Sequence, residues 1–202
     1  MNESQFNLAI TNARKRALIN SGVENLIQHC QQFMAVPGDV VECGSFRGGS
    51  AMILAACADY YYPSPRKTVF AFDTFSGYPR VSPQDERTLD EFTNVSFVEV
   101  QEATKEISNL VLIQGDFLDT FPKFKARPLS VVSIDCDLYE SHLLSLKHFW
   151  PMISPGGACL LMDYATGMKG AAQAVEEFFA GRIDQVVNRN GLWGIIKGER
   201  GA

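Results

Sequence analysis

Acidic residues stand at the end of nearly every strand-like run of this 202-residue sequence. The carboxyl ends of parallel strands meet at one edge of a sheet, and open α/β sheets place their ligand sites at that edge. Carboxylates collected there can accept hydrogen bonds from a ligand, move protons or hold a metal ion. The alternative is that each acid only caps the helix that follows it. The acids are Glu42, Asp73, Asp116, Asp135, Asp137 and Asp163.

Residues 40–50, Val-Val-Glu-Cys-Gly-Ser-Phe-Arg-Gly-Gly-Ser, read as a buried strand, a glycine-rich turn and a helix start. The glycine spacing differs from the G-x-G-x-x-G fingerprint of dinucleotide sites, and Glu42 precedes the turn. A carboxylate is unfavourable beside a pyrophosphate, but it suits a ligand with a cationic amino-acid end. S-adenosylmethionine is such a ligand, and we predict a site for it here.

The acids after the second and third predicted strands would bind the ribose and the adenine of S-adenosylmethionine. Asp73 is placed to accept both ribose hydroxyls, and Asp116 to receive the adenine amino group beside Phe117. Gly44 lets the backbone approach the ligand, while Ser50 is either a ligand contact or a helix N-cap. The predicted cofactor contacts are Glu42, Gly44, Ser45, Gly48, Gly49, Ser50, Asp73, Thr74, Asp116, Phe117 and Asp135.

Three more acids, Asp135, Asp137 and Asp163, follow adjacent strands of the predicted sheet. Clustered carboxylates repel one another unless a proton or a cation relieves the repulsion. An all-oxygen set suits Mg²⁺, which would lower the pKa of a substrate hydroxyl and aim its oxygen. His142 is the histidine beside this block, and it is either a general base or a packing residue in the first turn of a helix. The predicted catalytic residues are Asp135, Asp137 and His142.

Hydrophobic periodicity distributes these residues over alternating strands and helices. Residues 3–34 read as helical with a break at Ser21-Gly22, and residues 76–95 read as a polar loop or short helix that closes over the site. Strands are predicted at residues 40–43, 68–72, 110–114, 129–134 and 158–162, and further helices at 50–62, 98–107, 143–153 and 171–180.

The last two strand-like runs, residues 184–188 and 192–197, flank Asn190-Gly191, which is a strong hairpin signal. Five strand–helix alternations followed by an antiparallel hairpin describe the class I methyltransferase sheet. The sequence therefore predicts an α/β, Rossmann-like fold: a seven-stranded mixed sheet with a C-terminal antiparallel hairpin and helices on both faces. Residues 1–36 are predicted to cover the pocket with helices and residues 37–202 to form the methyltransferase domain, all within one structural domain.

Composition argues against several other classes of protein. The formal net charge of -5 disfavours a nucleic-acid partner, and no apolar run approaches the roughly 20 residues that span a bilayer. The N-terminus is polar and lacks the apolar core of a signal peptide, so we expect a cytoplasmic protein without a membrane partner. None of the five cysteines forms a C-x-x-C pair, and we interpret them as reduced core thiols.

Five blocks together resemble the macrocin O-methyltransferase family. They are residues 40–50, 73–79 (Asp-Thr-Phe-Ser-Gly-Tyr-Pro), 115–120 (Gly-Asp-Phe-Leu-Asp-Thr), 133–141 (Ser-Ile-Asp-Cys-Asp-Leu-Tyr-Glu-Ser) and 154–157 (Ser-Pro-Gly-Gly). The resemblance runs from about Pro37 to Phe179 and implies methyl transfer, with S-adenosylmethionine and Mg²⁺, to a sugar hydroxyl, typically on a deoxysugar of an antibiotic. It further implies that Asp135 is a metal ligand and the base, that Asp163 is a second metal ligand, and that the protein is a homo-oligomer.

One position departs from the family pattern. The family usually has two adjacent acids at the end of strand five, where this chain has Met162-Asp163. A thioether is a poor ligand for a hard cation, which leaves three readings open: a weak metal site, recruitment of Asp137, or catalysis without metal. The expected acceptor is a sugar or glycosylated small molecule. The alternative functions are a metal-independent methyltransferase of another small molecule and a non-catalytic S-adenosylmethionine-binding protein.

Overall fold

A computed structural model describes residues 1–17 and 22–198, so Ser21 of the predicted helix break lies outside the described residues. The strands in these ranges are β1 Asp39–Cys43, β2 Val69–Asp73, β3 Leu110–Gln114, β4 Leu129–Ile134, β5 Ile153–Leu161, β6 Val187–Arg189 and β7 Leu192–Ile196. They form one sheet in the order β3-β2-β1-β4-β5-β7-β6. β1 to β5 run parallel, and β7 runs antiparallel to its neighbours β5 and β6. The predicted mixed sheet with a terminal hairpin is confirmed.

Helices cover both faces of this sheet, as predicted. They are α1 Glu3–Arg14, α2 Val23–Phe33, α3 Gly49–Tyr61, α4 Phe97–Thr104, α5 Phe117–Thr120, α6 Tyr139–Phe149 and α7 Lys169–Phe178. On one face α1, α2 and α3 share a core with Val40 and Val131, and on the other α6 and α7 share a core with Val41 and Val132. Because both faces are covered, β4 is buried along its whole length, as is usual for a central parallel strand.

Helix α6 begins earlier than the sequence predicts. The apolar pattern placed its start at residue 143, whereas the structure places it at Tyr139. The reason is a contact from far along the chain: Asp85 Oδ1 accepts the Tyr139 N–H at 2.7 Å. A side chain that caps an orphan N–H in this way stabilises the first turn of a helix.

Two strand boundaries near the end of the chain also differ from the prediction. β5 begins at Ile153 instead of residue 158, because it pairs with β4 on both sides of a register shift. β6 is limited to Val187–Arg189, because residues 183–185 form a helical turn. No helix within residues 1–17 and 22–198 is both long enough and apolar enough to cross a membrane.

The turn after β1 depends on two crowded glycines. Gly44 has a φ of +91°, and a Cβ there would lie 1.8 Å from the Asp135 carbonyl oxygen at the end of β4. At Gly49 a Cβ would lie 2.3 Å from the Ala17 nitrogen. Because only glycine fits at either position, the turn lies close against the neighbouring strand end and beneath the chain that leaves α1.

Candidate active site

A cavity lies at the carboxyl edge of the sheet, between the glycine turn, the loop of residues 76–95 and the N-terminal helices. Most of the predicted cofactor residues line it: Gly44, Ser45, Gly49, Ser50, Asp73, Thr74, Asp116, Phe117 and Asp135. Glu42 and Gly48 are not part of its wall. Tyr78 and Met162 also face it, as do residues for which the sequence predicted no role: Arg16, Ala17, Val23, Leu26, Phe46 and Phe92.

Glu42 lies directly behind this wall. It is fully buried, and its Oε2 accepts the hydroxyl proton of Ser45 at 2.5 Å. Burial raises its pKa from 4.5 to about 7, an effect that the Ser45 and Ser50 hydroxyls partly offset. Its other oxygen, Oε1, has no close hydrogen-bond partner within the described ranges. A buried oxygen of this kind is costly unless a donor completes it, and a cationic ligand group is such a donor.

Asp73 organises the glycine turn from the end of β2. Its Oδ2 accepts the N–H groups of Ser45 and Phe46, each at 2.8 Å, and its Oδ1 accepts the Phe75 N–H at 2.6 Å. These three contacts fix the carboxylate at the cavity wall. The contact to both ribose hydroxyls stays a prediction, and it must use the lone pair that Oδ1 retains.

Asp116 lies at the cavity, but its carboxylate already has partners. Its Oδ1 accepts the Leu118 N–H at 2.9 Å, which caps α5, and both oxygens pair with the Arg80 guanidinium from the loop. Asp116 therefore does cap the helix that follows it, which was the alternative to a role in ligand binding. A hydrogen bond from an adenine amino group would have to share the carboxylate with Arg80 or displace it.

Asp135, Asp137 and Asp163 come together where β4 and β5 end, and we call them the acid cluster. The Asp137 N–H donates to Asp163 Oδ2 at 2.8 Å. The interaction between Asp135 and Asp163 raises the pKa of Asp135 and favours a proton on this pair of carboxyls. Desolvation raises the pKa of Asp135 well above its usual range, and repulsion from the other two acids adds to the rise.

His142 is buried behind the acid cluster and does not line the cavity. Its Nδ1 lies 3.0 Å from the Leu138 carbonyl oxygen and 3.4 Å from the Cys136 sulfur. Its Nε2 lies 3.3 Å from Asp163 Oδ2. Burial lowers the pKa of His142 to about 4, so the ring is neutral near pH 7 and contacts the cluster from the side away from the cavity.

The donor set around the acid cluster does not fit the predicted magnesium site. Mg²⁺ needs oxygen ligands in near-octahedral positions, yet both oxygens of Asp137 already face donors from the loop. The Tyr78 hydroxyl donates to Oδ2 at 2.7 Å, and Arg87 Nη2 lies 3.4 Å from Oδ1. Met162 presents a thioether to the cavity. Among the residues that the structure describes, no group of three or more His, Cys, Asp or Glu side chains could hold a metal ion.

The loop of residues 76–95 supplies contacts that sequence reasoning missed. Arg80 pairs with Asp116, and Asp85 accepts an N–H at the start of α6. Arg87 contacts the acid cluster. A polar loop has no periodic pattern, and the partners of these side chains lie from 36 to 54 residues away along the chain. The signal available in the sequence was the length and polarity of the loop, which predicted closure over the site but not the residues that achieve it.

Comparison with known proteins gives matches over most of the chain. The family model described as macrocin O-methyltransferase matches residues 8–191. A tetracenomycin-C rhamnosyl 4'-O-methyltransferase of Streptomyces olivaceus is 32% identical, over 69% of this chain and 59% of that protein. The mycinamicin III 3''-O-methyltransferase of Micromonospora griseorubida is 30% identical, over 76% of this chain and 66% of that protein. The chain thus spans less than two thirds of the length of these relatives.

Solved structures share the same fold. The O-methyltransferase NovP superposes with a TM-score of 0.77 at 26% sequence identity, and the match covers 88% of this chain and 79% of NovP. The calicheamicin methyltransferase CalS11 also has a TM-score of 0.77, at 20% identity, with 98% of this chain and 93% of CalS11 covered. The second likeness concerns the fold alone.

Proposed function

Because the chain belongs to the macrocin O-methyltransferase family, we propose that it transfers a methyl group from S-adenosylmethionine to a hydroxyl of a sugar or glycosylated small molecule. One observation carries this proposal: the glycine turn, Asp73 and Asp135 all border one cavity at the carboxyl edge of the sheet. The acceptor class is taken from relatives that are named for methylation of a rhamnosyl tetracenomycin and of mycinamicin III.

The cofactor would be held by the residues that already frame the cavity. Gly44 and Gly49 let the turn pack against the backbone of Asp135 and Ala17. Ser45 and Ser50 line the cavity, and their hydroxyls interact with the Glu42 carboxyl behind them. The amino-acid end of the cofactor would meet these two hydroxyls, which Glu42 holds in place. Thr74 and Asp73 border the expected ribose position, and Phe117 the expected adenine position. When bound, S-adenosylmethionine supplies the electrophilic methyl group.

Asp135 is the acid that we expect to accept the proton of the acceptor hydroxyl, once its own proton has passed to Asp163 or to solvent. It borders the cavity, and a carboxyl with a raised pKa is a stronger base than an ordinary one when it is ionised. Asp163 interacts with Asp135, and His142 Nε2 lies 3.3 Å from Asp163 Oδ2. These two groups would hold Asp135 in place and share its proton, so His142 would be a positioning residue in this scheme.

The N-terminal helices of residues 1–36 would cover the site, and residues 37–202 would form the methyltransferase domain. Side chains from both parts line the cavity, Val23 and Leu26 among them. The loop of residues 76–95 would exclude water during transfer. The homo-oligomer, the cytoplasmic location and the lack of a nucleic-acid partner stay predictions.

The test begins with calorimetric titration of S-adenosylhomocysteine, for which we expect a micromolar dissociation constant. Transfer from labelled S-adenosylmethionine to a panel of deoxysugar nucleotides and glycosylated antibiotics follows. We expect Asp135→Asn to lower turnover by about 10² to 10⁴-fold. Because asparagine keeps the shape and polarity of this side chain, affinity for S-adenosylhomocysteine should change far less than turnover. The matched control is Asp59→Asn, a surface partner of Arg66. A wild-type protein that does not bind S-adenosylhomocysteine would sink the proposal, and binding without turnover would favour the non-catalytic alternative.

A further inference from the structure

Arg87 brings a guanidinium group from the loop of residues 76–95 to the acid cluster. Its Nη2 lies 3.4 Å from Asp137 Oδ1 and 3.1 Å from the Met168 sulfur, and its Nη1 donates to Glu91 Oε2 at 2.8 Å. The side chain is only 25% exposed, and its Nε is buried without a hydrogen-bond partner in the described part of the chain. A partly buried cation interacts with nearby carboxylates, here Asp137 and Glu91, more strongly than a cation in bulk water does.

The negative charges of the acid cluster repel one another, and a nearby cation reduces this repulsion. A proton on Asp135, which its raised pKa favours, removes only one of the three formal negative charges of the cluster. Arg87 stabilises the ionised forms of the other acids, since its charge lowers the pKa of both Asp137 and Asp163 against the effect of burial. Repulsion among the remaining carboxylates is reduced without any added ion.

We propose that the Arg87 guanidinium is the resident cation of the acid cluster, in the electrostatic role that a divalent metal would otherwise fill. The inference rests on the proposed methyltransferase function and concerns the same site. Two features favour it over a metal ion. Met162 replaces one expected ligand, and a metal on Asp137 would have to displace both Tyr78 and Arg87.

Because Arg87 belongs to the loop, the cation reaches the cluster only when the loop is docked. The Tyr78 hydroxyl on Asp137 and the Asp85 carboxylate on the Tyr139 N–H hold the loop in this position. Arg87 is therefore a positioning residue: it fixes Asp137, whose N–H in turn holds Asp163. When residues 76–95 dock, Arg87 therefore neutralises part of the cluster's negative charge at the same time.

Three variants test this inference through metal binding, which does not depend on the identity of the acceptor. Arg87→Gln removes the charge, Arg87→Lys keeps it, and Arg66→Gln removes a surface charge that pairs with Asp59 outside the site. Mg²⁺ is titrated into each protein by calorimetry. We expect no saturable heat from the wild type, from Arg87→Lys or from Arg66→Gln. Arg87→Gln should give a saturable Mg²⁺ heat, because the cluster then has one more uncompensated negative charge.

Hydrogen exchange gives a second readout of the same variants. Residues 76–95 should exchange faster in Arg87→Gln, and Arg87→Lys should restore much of the protection. The inference is overturned if the wild type gives a saturable Mg²⁺ heat that Asp163→Asn abolishes. It is also overturned if Arg87→Gln and Arg66→Gln behave alike in both measurements.

Titration with S-adenosylhomocysteine separates this inference from the proposed function. Each variant should retain the affinity of the wild type within a few-fold, which also shows that it is folded. If the wild type itself does not bind S-adenosylhomocysteine, the proposed function is contradicted. The Mg²⁺ titrations and hydrogen exchange of the Arg87 variants would still decide whether Arg87 is the cation of the acid cluster.

Discussion

Glu42 combines complete burial with a carboxyl oxygen that has no close partner in the described ranges. Burial raises its pKa from 4.5 to about 7, so the folded protein keeps a proton on Glu42 at pH values where the unfolded chain has lost it. Between pH 4.5 and about 7 the folded state therefore binds more protons than the unfolded state. Stability must fall as the pH rises through this window, because the buried carboxyl becomes charged.

We expect Glu42→Gln to remove this part of the pH dependence. A shift from 4.5 to about 7 corresponds to a free energy of unfolding that declines by about 3 kcal/mol across the window. Urea unfolding of the cofactor-free protein at several pH values measures it. Glu42 also raises the pKa of Asp135 by repulsion, so the difference between the two curves reports the Glu42 carboxyl together with that interaction. Two parallel curves would show that the Glu42 carboxyl does not ionise in this range.

At the scale of secondary-structure elements, the loop of residues 76–95 and the start of α6 stabilise each other. Asp85 Oδ1 accepts the Tyr139 N–H at 2.7 Å, and its Oδ2 accepts both the N–H and the hydroxyl proton of Ser82. One carboxylate therefore caps the helix and closes a turn of the loop. The capped helix carries His142, and the loop carries the contacts to Asp137.

We expect Asp85→Ala to loosen both elements together. The loss of a helix cap costs about 1 kcal/mol in the free energy of unfolding, and hydrogen exchange should become faster in residues 76–95 and in the first turn of α6. Glu86→Ala is the matched control, because Glu86 pairs with Lys169 on the exposed surface, where ion pairs contribute little. Faster exchange in the loop with an unchanged α6 would mean that the two elements are not coupled through Asp85.

At the scale of the whole molecule, the fold and the location of the site could be predicted because their signals are local. The apolar runs, the glycine turn and the Asn190-Gly191 hairpin each lie within a few residues, and strand ends of a parallel sheet share one edge. The burial of Glu42, the partners of Asp116 and the role of Arg87 depend on packing between distant segments. No spacing in the sequence marks them, and none marks the donors from the loop that face both oxygens of Asp137.

The cavity is assembled from segments far apart in the chain, and this predicts how a ligand acts on the whole molecule. Its wall includes Ala17 from the N-terminal segment, Ser45 from the glycine turn, Tyr78 from the loop and Asp135 from the segment that follows β4. A ligand that bridges such segments must order them together. We expect S-adenosylhomocysteine, at about one hundred times its dissociation constant, to raise the free energy of unfolding by about 2.7 kcal/mol.

Hydrogen exchange shows whether the ligand orders all four segments of the cavity wall or only the glycine turn. Protection should appear in all four segments at the same ligand concentration. A nicotinamide dinucleotide at the same concentration should protect none of them, because the turn lacks the G-x-G-x-x-G spacing of a dinucleotide site. Protection confined to residues 44–50 would mean that the N-terminal helices and the loop do not close on the ligand. In that case the acceptor hydroxyl would meet water at the acid cluster, and a carboxylate base at Asp135 would lose the desolvation that raises its pKa.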